Sequence, residues 1–312
     1  MLTLVIRRCL LAILTVIVGS SAVFGLIHAA GDPLDGFLAP GTSLEVREST
    51  RERLGLNDSI PTQYARYLGN TLRGDFGDSW RNRMPAAEAV VQRLPATLKL
   101  AAAAIVVSSV GGVVIGVASV WIDNAGLRRG VQLIGMLGQA LPAFWLGTLV
   151  ILVFAVRLRW LPSSGNTGWQ SLILPTVTLA AYPGSLIARM TQASLMDVRR
   201  QPYLTTALAK GLPPRVLWFR HALPNAMLPT LALIGVQASF LVGGTIVVES
   251  VFAYPGVGVL AMQAAAERDL PVVQAFVVVT ILLVAAVNLA VDLLAGWIDP
   301  VLRHGSGKLA NG

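Results

Sequence analysis

Long charge-free runs alternate with short polar segments along this chain. Six of the runs are of membrane-crossing length: Leu10 to Ala30, Leu100 to Trp121, Val131 to Val156, Leu172 to Ala188, Met227 to Val248 and Leu270 to Val291. A spanning helix needs about 20 apolar residues, because ~1.5 Å of rise per residue must cover ~30 Å of hydrocarbon. A charge at mid-span costs about 2.5 to 3.5 kcal/mol on insertion scales, so runs this long mark spans rather than the core helices of a soluble protein. The fourth run is short and contains Pro175 and Pro183. The pattern predicts an all-α integral membrane protein with six transmembrane helices.

The first run follows Arg7 and Arg8, as a secretory signal would. It is long for a signal, however, and Ile27-His28-Ala29-Ala30 is not a small-residue cleavage end, so it reads as an uncleaved anchor. Only 13% of residues are charged, against roughly 25% in soluble domains. The formal charge of +8 is scattered over loops. No dense basic stripe forms, so membrane lipid is an expected partner and nucleic acid is not. The single Cys9 allows neither an intrachain disulfide nor a cysteine-based zinc site.

Six spans put both termini on one face, and the positive-inside rule selects it. With cytoplasmic termini, the inner segments hold Arg7, Arg8, Arg128, Arg129, Arg189, Arg199, Arg200, Lys210, Arg215, Arg220, Arg303 and Lys308 against only Asp123, Asp197 and Asp299. Acids and bases balance in the outer segments. The chain divides into an anchor (1–30), an outer subdomain (31–97), a five-helix transmembrane domain (98–303) with an inner loop at 189–225, and an inner tail (304–312).

Two segments are more than connections. In the outer subdomain, Glu45 to Leu56 is helix-like with Gly55 as its left-handed cap. The tract Arg73-Gly74-Asp75-Phe76-Gly77-Asp78-Ser79 has turn chemistry, since an Asp flanked by glycines can bond its own backbone. This subdomain is either a packed cover or a docking surface. In the inner loop, Tyr203 to Lys210 reads as a short helix that Gly211 caps and Pro213 stops. Pro214 can then open a second helix through Arg215 and Arg220 toward Met227. Such a helix–turn–helix suits docking into a groove of a cytosolic protein, or lying on anionic lipid.

At this loop the chain resembles the permeases of ATP-binding-cassette (ABC) importers, whose signature is E-A-A-x3-G-x9-I-x-L-P. Gly211 is followed by nine residues and then His221-Ala222-Leu223-Pro224. Thr205 and Thr206 replace the Glu and first Ala, Ala207 is retained, and His221 stands at the Ile position. The run Tyr203 to Asn225 is similar to the B-type permease of dipeptide and oligopeptide importers. So are Gly31-Asp32-Pro33, the Arg73 to Ser79 tract, Leu141-Pro142-Ala143-Phe144-Trp145, Val248-Glu249-Ser250-Val251-Phe252 with Pro255-Gly256-Val257-Gly258, and Asn288 through Asp292 to Asp299-Pro300.

The resemblance implies the type I ABC importer permease fold and uptake of peptides at a bacterial inner membrane. It also implies three kinds of partner: a homologous second permease, two cytosolic ATPases and an extracytoplasmic peptide-binding protein. The coupling residues would be Tyr203, Thr205, Thr206, Ala207, Leu208, Ala209, Lys210, Gly211 and Leu212. Family members usually carry more basic residues where Thr205 and Leu208 stand here.

No Gly-x-x-x-x-Gly-Lys-Ser/Thr occurs, so ATP and Mg are expected on partner subunits, with no cofactor bound by this chain. His28, His221 and His304 are scattered without metalloprotease spacing, and no Gly-x-Ser-x-Gly occurs, so neither a metal nor a catalytic residue is expected. Polar groups within spans need partners. Gln139, Gln237 and Asn288 are candidates for the translocation path or for interhelical hydrogen bonds, and Asp292 for a salt bridge. Pro142 and Pro175 are candidate kinks, and Gly112 to Gly116 a site of close helix packing or of dimerisation.

Overall fold

The computed structural model describes residues 2–29, 31–32, 34, 38, 41–53, 55–213 and 216–298. These are helical except for turns and one isolated bridge between Asp78 and Pro85. Five helices are long and apolar enough to cross a membrane, or six if one sharply bent pair is a single span. Contacts divide the chain into two units, Met1–Thr97 with Pro255–Leu289, and Leu98–Tyr254 with Ala290–Gly312. This grouping joins the anchor and outer subdomain to 255–289, which the sequence pattern assigned to the transmembrane domain. The expected tail, 304–312, lies outside the described residues.

In the first unit, α1 (Leu2–Ala29) is followed by α2 (Leu44–Arg53) and α3 (Ile60–Arg73). Leu10, Leu14 and Val18, four residues apart, form an exposed apolar stripe suited to lipid. Nearer the end of the helix, Ser21 meets the Tyr64 hydroxyl at 2.6 Å, and His28 Nε2 lies 3.2 Å from Gln63 Oε1, tying α1 to α3. Asp32 pairs with Arg47 at 2.7 Å and with Arg51. Burial pushes the Asp32 carboxyl up, but the Arg47 and Leu34 hydrogen bonds and both arginine charges outweigh it and hold it below the ordinary value.

Gly55, at φ +65°, donates to the Glu52 carbonyl, and the Leu56 N–H reaches back to Arg51, the cap the sequence predicts. Gly74 (φ +74°) closes α3, and Asp75 Oδ1 accepts from the Gly77 N–H, as the turn chemistry required. The start of α4 (Ala86–Trp121) packs through Ala86, Ala89 and Val90 on α10 (Val257–Ala266) and α11 (Leu270–Ile298).

In the second unit, α5 (Ala125–Ala140) and α6 (Ala143–Val150), which continues as π-helix to Arg157, precede α7 (Gln170–Arg199). After α8 (Pro202–Ala209) and a π-helical segment (Leu217–Ala222), the chain enters α9 (Leu223–Val251). The centre is α7: 67% of its most apolar window is buried, against 17–28% for the other full-length spans.

Small residues let its neighbours approach. A Cβ on Gly138 would stand 2.1 Å from the Ala181 carbonyl oxygen. One on Gly112 or Gly116 would stand 2.7 Å from the Gly184 or Ala188 oxygen. The Gly112-x-x-x-Gly116 face therefore packs on α7 within the chain. Thr191 and Thr230 hydroxyls, 3.4 Å apart, link α7 to α9.

Several helix limits differ from the sequence expectation. The first helix starts at Leu2, within the expected 1–30 anchor, and carries Arg7 and Arg8 ahead of the charge-free run that begins at Leu10. The second starts at Ala86 rather than near Leu100 and runs through Pro95, which costs one intrahelical bond. The third span is two helices bent by 115° at Leu141–Pro142, more than a kink. The fourth passes uninterrupted through Pro175 and Pro183 to Arg199, so much of the expected 189–225 loop is helical. Hydropathy marks where lipid ends, whereas backbone hydrogen bonding continues into water through Ala, Arg, Glu and Leu, all good helix formers.

Candidate functional site

The elbow between α7 and α9 is built from local chemistry. Pro202 opens α8, where its missing N–H has no intrahelical partner to lose. The Lys210 N–H donates to the Thr206 carbonyl at 3.1 Å and the Leu212 N–H to the Ala207 carbonyl at 3.3 Å, closing the end across Gly211 at φ +74°. A Cβ on Gly211 would meet nothing within 4 Å, so the backbone conformation alone calls for glycine. Leu204, Leu217 and Ala222 are buried together, with Val198, Ala207 and Trp218 against them. Asn225 Nδ2 donates to the His221 carbonyl at 2.7 Å and to the Tyr203 hydroxyl at 3.3 Å.

Pro214 and Arg215 lie outside the described residues. Beyond them, the predicted second helix is a π-helical segment continuous with α9, giving one apolar helix of 35 residues from Leu217 to Val251. Pro224 has no N–H for the Arg220 carbonyl and its ring would press on it, and the wider winding relieves that clash. At the end of α4, Trp121 stacks on Trp218 with ring centroids 6.2 Å apart and meets Phe219 edge-on at 5.3 Å. The second span is thus braced directly on the elbow.

Of the residues expected to couple, Tyr203, Thr206, Ala209, Lys210 and Gly211 are exposed, Ala207 and Leu212 half-buried. The side chains of Thr205 and Leu208 lie outside the described set. What emerges among the described residues is a small, mostly uncharged knob on an apolar base.

The family described as "Binding-protein-dependent transport system inner membrane component" matches residues 108–304, which contain this elbow. The chain belongs to that family. The family's N-terminal component matches residues 1–101. The glutathione transport system permease protein GsiC of Escherichia coli (strain K12) is 39% identical over 306 residues, covering 97% of this chain and 100% of that protein. The Salmonella paratyphi A protein of the same name is 38% identical with the same coverage. Among solved structures, an inward-facing MetNI methionine ABC transporter superposes with a TM-score of 0.58 at 22% identity, covering 68% of this chain and 96% of that one. An amino acid ABC transporter gives 0.53 at 13%, covering 67% and 93%.

This binding-protein-dependent component is therefore a multi-pass inner-membrane permease subunit of an ABC importer with the type I fold, and not an enzyme. Its polar span residues have different settings. Gln139 Oε1 accepts from Arg189 Nη1 at 3.0 Å, an interhelical bond between α5 and α7. Gln237 is buried on α9. Asn288, in the other unit, lines a crevice of about 430 Å³ with Arg8 and Thr280.

Two acids that the sequence pattern placed at span flanks are buried instead. Glu249 is fully buried inside α9. Asp269, 3% exposed, accepts from the Ser79 hydroxyl at 2.5 Å and the Trp80 N–H at 3.2 Å. Nothing near either acid in the sequence signals burial. Among the described residues no group of His, Cys, Asp and Glu is arranged to hold a metal.

Proposed function

We propose that this permease takes up dipeptides and oligopeptides delivered by an extracytoplasmic peptide-binding protein. It forms the path with a homologous second permease, and two cytosolic ATPases, which carry the ATP and Mg, close against the α8 knob. Both termini face the cytoplasm, as the charge distribution requires, and the subdomain between the first two spans faces outward. Gln139, Gln237 and Asn288 contribute polar groups to the path.

The observation that carries the reading is the knob itself: an exposed helix locked by Gly211 and continued, through the π-helical segment, into a 35-residue helix. Force on the knob reaches the fifth span through backbone, and rigid helices convert it into alternating opening. The similarity to glutathione permeases supports a short peptide as cargo, since glutathione is itself a tripeptide.

The test is ATP-driven uptake of a labelled tripeptide by proteoliposomes holding all five subunits. Gly211→Val is expected to lower uptake more than tenfold while the complex stays assembled. Normal uptake by that variant would refute coupling through the knob. External labelling of a cysteine placed at Lys210 would refute the sidedness. Import of nickel or haem without peptide would reassign the cargo.

A further inference from the structure

The first unit contains a second feature with the makings of a site, distinct from the elbow. An open cavity of about 880 Å³ is walled by the ends of α1, α2 and α11, by α3 and by the loop at 77–86. Small-molecule sites have volumes of roughly 300 to 1,000 Å³. Phe24, Phe76 and Trp80 supply aromatic surface, and the lining includes three arginines, Arg53, Arg66 and Arg83, and one acid, Asp78. Arg66 is paired with Asp58. Neither Arg53 nor Arg83 is ion-paired with a described residue.

Arg83 is held at φ +53°, a conformation that L residues rarely adopt. A glycine would make the same turn without strain, so the backbone gives no reason for an arginine there. The strain is maintained by its surroundings. Arg83 N–H donates to the Ser79 carbonyl at 3.0 Å, Ser79 N–H to Met84 at 2.8 Å and Ala86 N–H to Gly77 at 2.9 Å. Buried Asp269 fixes Ser79 and Trp80 from the other side. Residues strained in this way cluster at functional sites, and of the four non-glycine residues at positive φ among the described residues, Arg83 is the one that lines this cavity. Here the outcome is an arginine in the lining of an aromatic-walled cavity.

We propose that this cavity binds a short peptide by its terminal carboxylate, with Arg53 and Arg83 taking the charge and Phe24, Phe76 and Trp80 taking the apolar side chains. Guanidinium groups match carboxylate geometry, and aromatic walls accept many side chains. The site is a place on the permease itself where cargo rests outside the spans. The choice of a peptide rests on the importer reading above.

The test uses the full-length chain in lipid nanodiscs with no other subunit, titrated with Ala-Phe-Ala and with its C-terminal amide. The free acid is expected to bind saturably and the amide at least tenfold more weakly. Arg53→Gln and Arg83→Gly should each weaken free-acid binding at least fivefold. Arg83→Gly should also melt no lower than the parent, because it relieves the strained turn, which separates lost binding from misfolding. Equal binding of acid and amide, or parental binding by both variants, overturns the site. Peptide uptake by the complete transporter with no saturable binding here sinks the site and leaves the importer reading standing. Binding here in a transporter that imports no peptide does the reverse.

Discussion

The elbow at 202–222 and the loop at 77–86 are both short connections held in a single shape, but by opposite means. In the elbow, the contacts that shape α8 are near in sequence: Gly211 caps α8 on Ala207, and Asn225 reaches Tyr203 only 22 positions away, while the distant Trp121 bears only on the segment that follows. In the loop, the decisive contact comes from Asp269, 190 positions from Ser79. A shape fixed locally can transmit force as a rigid piece of chain. A shape fixed from a distance exists only when the whole unit has folded, and can therefore hold a strained Arg83. The contrast yields a series of substitutions whose effects should fall from loop to elbow.

The largest effect is expected at Asp269. Hydrogen bonds to a charged group contribute about 1.5 to 3 kcal/mol each, and a buried donor left unmet costs about 1 to 3 kcal/mol. Asp269→Ala removes the acceptor for Ser79 and Trp80, so a loss of about 3 kcal/mol is expected. It should appear as a lower melting temperature and as faster amide exchange through residues 77–86, with exchange in α8 unchanged. Asp269→Asn, which keeps the shape, should lose less. Unchanged exchange at Ser79 and Trp80 in the alanine variant would show that the loop, like the elbow, is held by its own residues.

At Gly211 the cost is strain without collision. Placing a β-branched residue in the left-handed region costs about 1 to 2 kcal/mol, and Asn tolerates that region better. Uptake should therefore rank wild type, then Gly211→Asn, then Gly211→Val, with all three complexes assembled. If Asn and Val were equally impaired, a steric demand from a docked partner, rather than the turn, would explain the glycine.

The same contrast explains what could be read from sequence. Glycines at 55, 74 and 211 all take positive φ, and Asp75 caps its own turn. Each follows from neighbours a few residues away. The spans were legible for the same reason, being continuous stretches of one solvent preference. Helix limits were not, because the helical backbone ignores the lipid boundary at Arg7 and at Arg189. Buried Glu249 and Asp269 were not either, since a charge beside an apolar run looks solvated, and the partners of Asp269 lie some 190 residues away. In the candidate site, the knob residues and Gly211 were legible. The brace of Trp121 on Trp218, nearly a hundred residues downstream, was not.

The smallest effect tests whether locality alone governs the elbow. Tyr203→Phe deletes the hydroxyl that accepts from Asn225 at 3.3 Å but leaves Asn225 bonded to the His221 carbonyl at 2.7 Å. One long, exposed hydrogen bond is worth about 0.5 to 1 kcal/mol at most. Uptake should fall less than twofold, with slightly faster exchange at the Thr206 to Lys210 amides, because Gly211 and the Leu204, Leu217 and Ala222 cluster still fix α8. A tenfold loss, matching Gly211→Val, would mean that the exposed Tyr203 side chain meets a partner directly. The knob would then act through its surface chemistry, and the comparison with the 77–86 loop would narrow from how each is held to what each presents.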